Sequence, residues 1–284
     1  MRLSLILDPA REWNDMAELA RAVDDAGWHA VYTCDHFMPY SEAGSPMDGP
    51  VLECWTSLTA LAGQTRSVRL GSLVMSNTYR HPAVVANMAA TLDVITNGRV
   101  ILGVGAGWQV NEHAAYGLAL PAPAARIAAL DEACSVITSL LREHRSNFDG
   151  DHFTLADAPC EPKPAQPRLP LLVGAKGEQL ALKVAARHAD IWHYWMEAED
   201  LRRKSAIVDR YCHDIGRDPS TLARATGGTI DLDDDPTEVV ERLKGLQEAG
   251  AGEFILIDDA ENTTAAQALA QVDVLSSRVL PALA

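Results

Sequence analysis

Asp35 and His36 follow directly on a short apolar run, Ala30 to Cys34, and precede the polar turn that begins at Phe37. A histidine ordinarily titrates near about pH 6.5, so it can take or give a proton at neutral pH, and a carboxylate beside it can orient or tune it. Adjacent residues on a strand point to opposite faces, so the two need not share one task. The plainer reading makes Asp35 a turn cap and His36 a packing residue under the loop.

Two glycine-rich segments offer a second chemistry. Gly103-Val104-Gly105-Ala106-Gly107 places glycine at every second position, which lets a planar ring or a phosphate approach the backbone closely. Its spacing is not the G-x-G-x-x-G of dinucleotide sites, and a tight corner would explain it equally well. Gly174-Ala175-Lys176-Gly177 opens a helix with small residues and a lysine, a layout suited to phosphate at a helix N-terminus. Ser76, Asn111 and Glu112 also fall near the ends of apolar runs. Tyr40, Trp108, Trp192, His193 and Trp195 add aromatic surface for a flat cofactor and a modest organic substrate, although some must be core. The other histidines show no H-E-x-x-H or other ligand spacing, which argues against a metal site, and no G-x-S-x-G elbow occurs.

An alternation of strands and helices must position these residues. Short apolar runs predict eight strands, at about residues 3–7, 30–34, 69–76, 100–106, 171–175, 191–194, 225–232 and 253–257. Helical spacing appears between them, for example Trp13, Met16, Ala20 and Val23, or Ile127, Leu130, Cys134, Ile137 and Leu141. Gly27, Asn97-Gly98, Gly216 and Gly250 mark helix ends. Eight strand-helix units over residues 1–284 predict one (β/α)8 barrel, with the candidate residues at the carboxyl ends of its strands. An open doubly wound sheet would place a glycine turn after the first strand, where Asp8-Pro9-Ala10-Arg11 stands. Residues 146–170 read as an insertion with a small hairpin around Asp149-Gly150.

Composition narrows the partners. A formal charge of -15 argues against nucleic acid and anionic membrane surfaces, which require clustered Lys and Arg. Five scattered cysteines without a C-x-x-C pair suit packing in a reducing compartment, and the short run Leu3 to Leu7 resembles no leader or span, so a cytoplasmic location is expected.

Several runs occur together and in order: Cys34-Asp35-His36-Phe37, Leu70-Gly71-Ser72-Leu73-Val74, Tyr79-Arg80-His81-Pro82-Ala83, Thr91-Leu92-Asp93 with Asn97-Gly98-Arg99, and Leu102 to Trp108. In this combination the chain resembles the luciferase-like monooxygenase family, and within it the branch that uses the deazaflavin coenzyme F420. The resemblance implies a bacterial-luciferase-like barrel that binds F420 or reduced FMN, with a non-prolyl cis bulge near Leu73 and Val74 supporting the ring. It implies cofactor contacts at Asp35, Leu73, Val74, Ser76, Ala106, Gly107, Asn111, Gly174, Ala175, Lys176 and Gly177, and His36 as the acid/base beside the reactive ring carbon. Tyr40, Trp108 and His193 would border the substrate.

In the sugar-phosphate dehydrogenases of that branch a glutamate follows the strand-four glycine, and here that place is Trp108; Tyr40 likewise replaces a tryptophan. Sugar-phosphate oxidation is therefore not carried over, and whether Glu112, one turn further on, reaches the site is open. The expectation is hydride transfer between a deazaflavin and a small organic substrate, in a homodimer, with a reductase as a further partner. The alternative is an FMN-dependent two-component monooxygenase. An isomerase or aldolase would need a phosphate site after strands seven and eight, where Leu232-Asp233-Asp234-Asp235 and Ile257-Asp258-Asp259 would repel it. A non-catalytic flavin-binding protein is the remaining reading.

Overall fold

A computed structural model describes residues 1–283. Eight parallel strand positions close into a barrel. In chain order these are β1 (Arg2–Ile6), β2 (Ala30–Thr33), a third strand in two pieces, β3 (Arg69–Ser72) and β4 (Met75–Ser76), and β5 (Val100–Gly105). A hairpin of β6 (Ser146–Asp149) and β7 (Thr154–Ala158) stands outside the ring, which continues with β8 (Leu171–Gly174), β9 (Ile191–His193), β10 (Ala223–Gly228) and β11 (Glu253–Ile257). β1 pairs with β2 and β11, and β5 pairs with β3, β4 and β8, which closes the circle.

The helices are α1 (Trp13–Asp25), α2 (Cys54–Ala62), α3 (Pro82–Ile95), α4 (Val110–Tyr116), α5 (Pro123–Arg142), α6 (Ala181–His188), α7 (Ala198–Asp214), α8 (Pro236–Glu248) and α9 (Ala265–Val274). Alternation along the strands divides the apolar residues into two layers. Leu3, Leu5, Val31 and Leu70 belong to the large core that also takes in the buried helix faces, whereas Ile6, Tyr32, Ile101, Leu172 and Ile255 fill the barrel's inside. Burying each such aliphatic side chain contributes about 1.5–3 kcal/mol. Among them, Ser4 and Tyr32 donate to the buried Glu253 carboxylate, at 2.6 and 3.0 Å.

The predicted hairpin is present, and the Glu132 carboxylate of α5 holds its turn by accepting from the N–H groups of Asp151, His152 and Phe153. Three departures from the sequence reading matter. The third strand breaks at Leu73-Val74, whose peptide is cis, at the place where the family resemblance put the bulge. The seventh barrel strand is β10, ending at Gly228, so Ile230 and Leu232 lie beyond it. Helix α4 is additional to the eight strand-helix units, of which α2 belongs to the second. Glu53 precedes α2 and its carboxylate accepts from Thr56 N–H, and Ser and Thr at the interior positions of that helix weaken its helical signal.

Candidate functional site

A cavity of about 660 Å³ opens at the carboxyl ends of the strands. Asp35, His36, Leu73, Val74, Ser76, Ala106, Gly107, Trp108, Gly174, Ala175, Lys176, Gly177 and His193 all line it. Two expected residues do not. Asn111 is fully buried, and its amide donates to the Pro39 carbonyl at 2.9 Å, so it braces the loop from behind instead of facing the cavity. Tyr40 lies on that loop, half exposed, and packs on Trp108 with ring centroids 5.1 Å apart.

The floor is built around Val74. An added Cβ on Gly105 would meet Val74 Cγ2 at 2.6 Å, and one on Gly174 would meet the same methyl at 3.1 Å. Bare backbone at both positions is what lets the bulge sit down among β5 and β8. Gly107 is confined in the same way by the Ser76 and Thr78 hydroxyls and has φ +78°, a conformation open to glycine at little cost.

Asp35 and His36 diverge. The Asp35 carboxylate accepts from Ser76 N–H at 2.9 Å and from Arg80 Nη1 at 2.8 and 3.0 Å. Burial pushes this carboxyl up from its ordinary value, against the pull of the Arg80 charge and the Ser76 N–H. Arg80 also reaches Glu53 at 2.6 Å, so one guanidinium ties the loop after β2, the start of α2 and the segment after β4.

His36 turns the other way, and its Nδ1 lies 2.8 Å from Glu112 Oε1. The Glu112 side chain is wholly buried. It also accepts from Phe37 N–H at 2.7 Å and from the Tyr79 hydroxyl. Burial would raise the Glu112 carboxyl, but the hydrogen bonds from His36, Tyr79 and Phe37 prevail and hold it below its usual range. An ionised carboxylate only accepts, so Nδ1 carries the hydrogen and Nε2 is the ring nitrogen free of Glu112. The ring edge rests on Trp108, centroids 5.4 Å apart at 78°. Cys34 also lines the cavity, but burial, with the Asp8 and Asp35 charges, pushes its thiol up to about 12, which leaves it a poor nucleophile.

The luciferase-like monooxygenase family matches residues 2–277. The chain belongs to that family. Among curated relatives, an F420-dependent glucose-6-phosphate dehydrogenase of Amycolatopsis mediterranei is 37% identical over 177 residues, covering 62% of this chain and 51% of the relative. A protein of the same name from Kineococcus radiotolerans is 31% identical over 233 residues, 81% of this chain and 67% of its own length. The chain thus spans about half to two thirds of these relatives. Among solved structures, an F420-dependent secondary alcohol dehydrogenase in complex with an F420-acetone adduct superimposes with a TM-score of 0.84 at 21% identity, covering 100% of this chain and 99% of that one. The coenzyme F420 dependent tetrahydromethanopterin reductase of Methanopyrus kandleri gives 0.82 at 19%, covering 99% and 98%. Both likenesses concern the fold.

Within this luciferase-like frame, the residues that sequence reasoning left aside are those that hold the lining in place. Tyr79 and Arg80 stood in a recognised run, yet nothing local tied them to Glu112 and Asp35. Arg126 of α5 also lines the cavity, with its Nε buried and unpartnered. Its signal was hidden in a helix read only for its apolar face. Among the described residues no helix is long and apolar enough to cross a membrane.

Proposed function

We propose that the chain is an oxidoreductase that moves a hydride between coenzyme F420 and a small organic substrate, with His36 handling the accompanying proton. The observation that carries this is His36, backed by the buried Glu112, on the wall of a cavity floored by Val74. The relatives named for F420 support the choice of cofactor. The residues fit such a group: Val74, Ala106 and Gly107 offer a flat, side-chain-poor bed for a ring. Beside it, the Gly174 to Gly177 turn with Lys176 offers N–H groups and a cation for a phosphate. Lys176 Nζ lies 5.4 Å from the Tyr194 ring, which holds it at the rim.

A bound deazaflavin supplies obligate two-electron chemistry, taking or giving a hydride at its ring. The chain's part is to orient and to move a proton. In the oxidising direction His36 Nε2 would take the O–H proton of a substrate alcohol, the deazaflavin held on the Val74 bed would supply the hydride acceptor, and a carbonyl would result. The reverse direction returns both. Glu112 would stabilise the imidazolium so formed from the Nδ1 side, while Trp108 packs against the ring.

The test is a titration of purified protein with F420 and, separately, with FMN, following fluorescence. Tight binding of F420 is expected; tight binding of FMN alone would replace this reading with the two-component monooxygenase.

A further inference from the structure

Two side chains that line the cavity, Arg126 and His193, have a buried nitrogen without a partner, and His193 is the uncharged one. His193, the last residue of β9, is 4% exposed, and its Nε2 is buried without a hydrogen bond. Its ring stands edge to face on Trp195, centroids 4.5 Å apart at 87°. Both residues line the same cavity as His36. Buried polar atoms in folded proteins are nearly always paired, and one left unpaired weakens the fold. Such an atom in a residue that lines a ligand-sized cavity points to a partner that arrives with the ligand.

The chemistry of that partner follows from the imidazole. Burial alone lowers the His193 pKa to about 3, so the ring is uncharged at neutral pH. A neutral imidazole offers one N–H donor and one lone pair, and no charge to balance an anion. It therefore matches a hydroxyl, which donates and accepts, or a carbonyl, which accepts. Beside it the wall is made by Tyr194 and Trp195 and by Gly174 and Ala175, the first of these two in register with His193 across β8 and β9. Of the cations that line the cavity, Arg126 stands on α5, and Lys176 stands on the loop after β8, with its Nζ 5.4 Å from the Tyr194 ring at the turn given above to the cofactor's phosphate.

We infer that His193 holds an uncharged oxygen of the substrate, a hydroxyl or carbonyl on an apolar body, and disfavours substrates that present a phosphate or carboxylate there. The inference rests on the cavity being the oxidoreductase site proposed above, and it narrows the substrate to alcohols and ketones. A site built to hydrogen-bond one oxygen rejects ligands that lack it more strongly than an apolar pocket can.

The test uses cyclohexanone as the probe and cyclohexanecarboxylate as its anionic counterpart, added to the purified protein with F420 present. Histidine ring nitrogen signals and thermal unfolding are followed in the wild type, His193→Leu and His193→Asn. Cyclohexanone should shift one imidazole that stays neutral from pH 5 to 8, and the carboxylate should not. His193→Leu should bind cyclohexanone at least tenfold more weakly, take up F420 within threefold of wild type, and melt no lower without ligands, because it removes an unpaired group. His193→Asn, which keeps a donor and an acceptor, should recover most of the ketone affinity. A leucine variant that melts lower would make His193 a structural residue. One that binds the ketone normally, or a wild type that prefers the carboxylate or binds neither probe, would also overturn the inference. Failure of F420 to bind would instead sink the proposed function, and the ligand-free melting comparison would still decide the role of His193.

Discussion

His36 Nδ1 meets Glu112 Oε1 at 2.8 Å across 76 positions of sequence. The carboxylate absent from the position of Trp108 is thereby supplied from the helix that follows, and from beneath the histidine instead of beside the cavity. Glu112 makes three hydrogen bonds at once, to His36, Phe37 and Tyr79, and is not itself among the residues that line the cavity.

Glu112→Gln should therefore cut turnover by about 10- to 100-fold, because the amide introduces a donor where three donors already converge. His36→Ala should cost about a hundredfold or more. Both variants should bind F420 within a few-fold of wild type. In the double variant the losses should not multiply, since both act through one proton transfer. Turnover in a four-member mutant cycle checks this, and multiplied losses would separate the two residues.

Gly105→Ala should lift the cavity floor. Its Cβ would press on Val74 Cγ2 at 2.6 Å, at a cost of about 1–3 kcal/mol in stability. F420 affinity should fall at least tenfold. Adding Val74→Ala removes the opposing methyl, so the double variant should regain stability. Denaturant unfolding and cofactor titration read both effects. Unimpaired binding by Gly105→Ala would remove Val74 from the ring's support.

The buried His193 also leaves a signature in acid. Its folded pKa, down to about 3, lies below the ordinary histidine value of an unfolded chain, about 6.5. As pH falls below that ordinary value the unfolded state takes up a proton that the folded state refuses, so stability declines. Between pH 6.5 and 5 this amounts to about 2 kcal/mol. The stability of His193→Leu relative to wild type should rise by that amount from pH 7 to 5. His29, which burial also lowers to about 4, titrates alike in both proteins and drops out of the difference. A gap that stays constant with pH would place the imidazole in contact with water.

Much of this was legible in the sequence because a barrel repeats a local pattern. Glu253–Ile257 forms a strand as read, and Gly27, Gly98, Gly216 and Gly250 all adopt the positive φ of helix ends. The misplaced seventh strand shows the weakness of reading apolar runs. Ile230 and Leu232 extended the run, while the Gly227-Gly228 pair that ends the strand gave no apolar signal. A side chain on Gly227 would run into the Ile255 carbonyl and the Trp195 ring, an approach no local window reveals. The site divides in the same way. Strand ends located His36, Ser76 and Gly174 to Gly177, because the fold rule needs only the strand map. Asn111 and Glu112 were adjacent candidates of similar polarity, and only packing decided that the glutamate turns to His36 and the asparagine to Pro39. Arg80 could not be assigned for the same reason: its partners Asp35 and Glu53 lie 45 and 27 positions away.

The burial of Glu112 has a consequence for the medium in which the protein works. Its carboxylate meets His36 in a direct contact of 2.8 Å and has no exposure of its own, so dissolved ions cannot come between them. Raising the salt concentration would weaken attractions at the surface and leave this one nearly intact. The His36-Glu112 contact is in that sense insulated from the ionic composition of the surroundings.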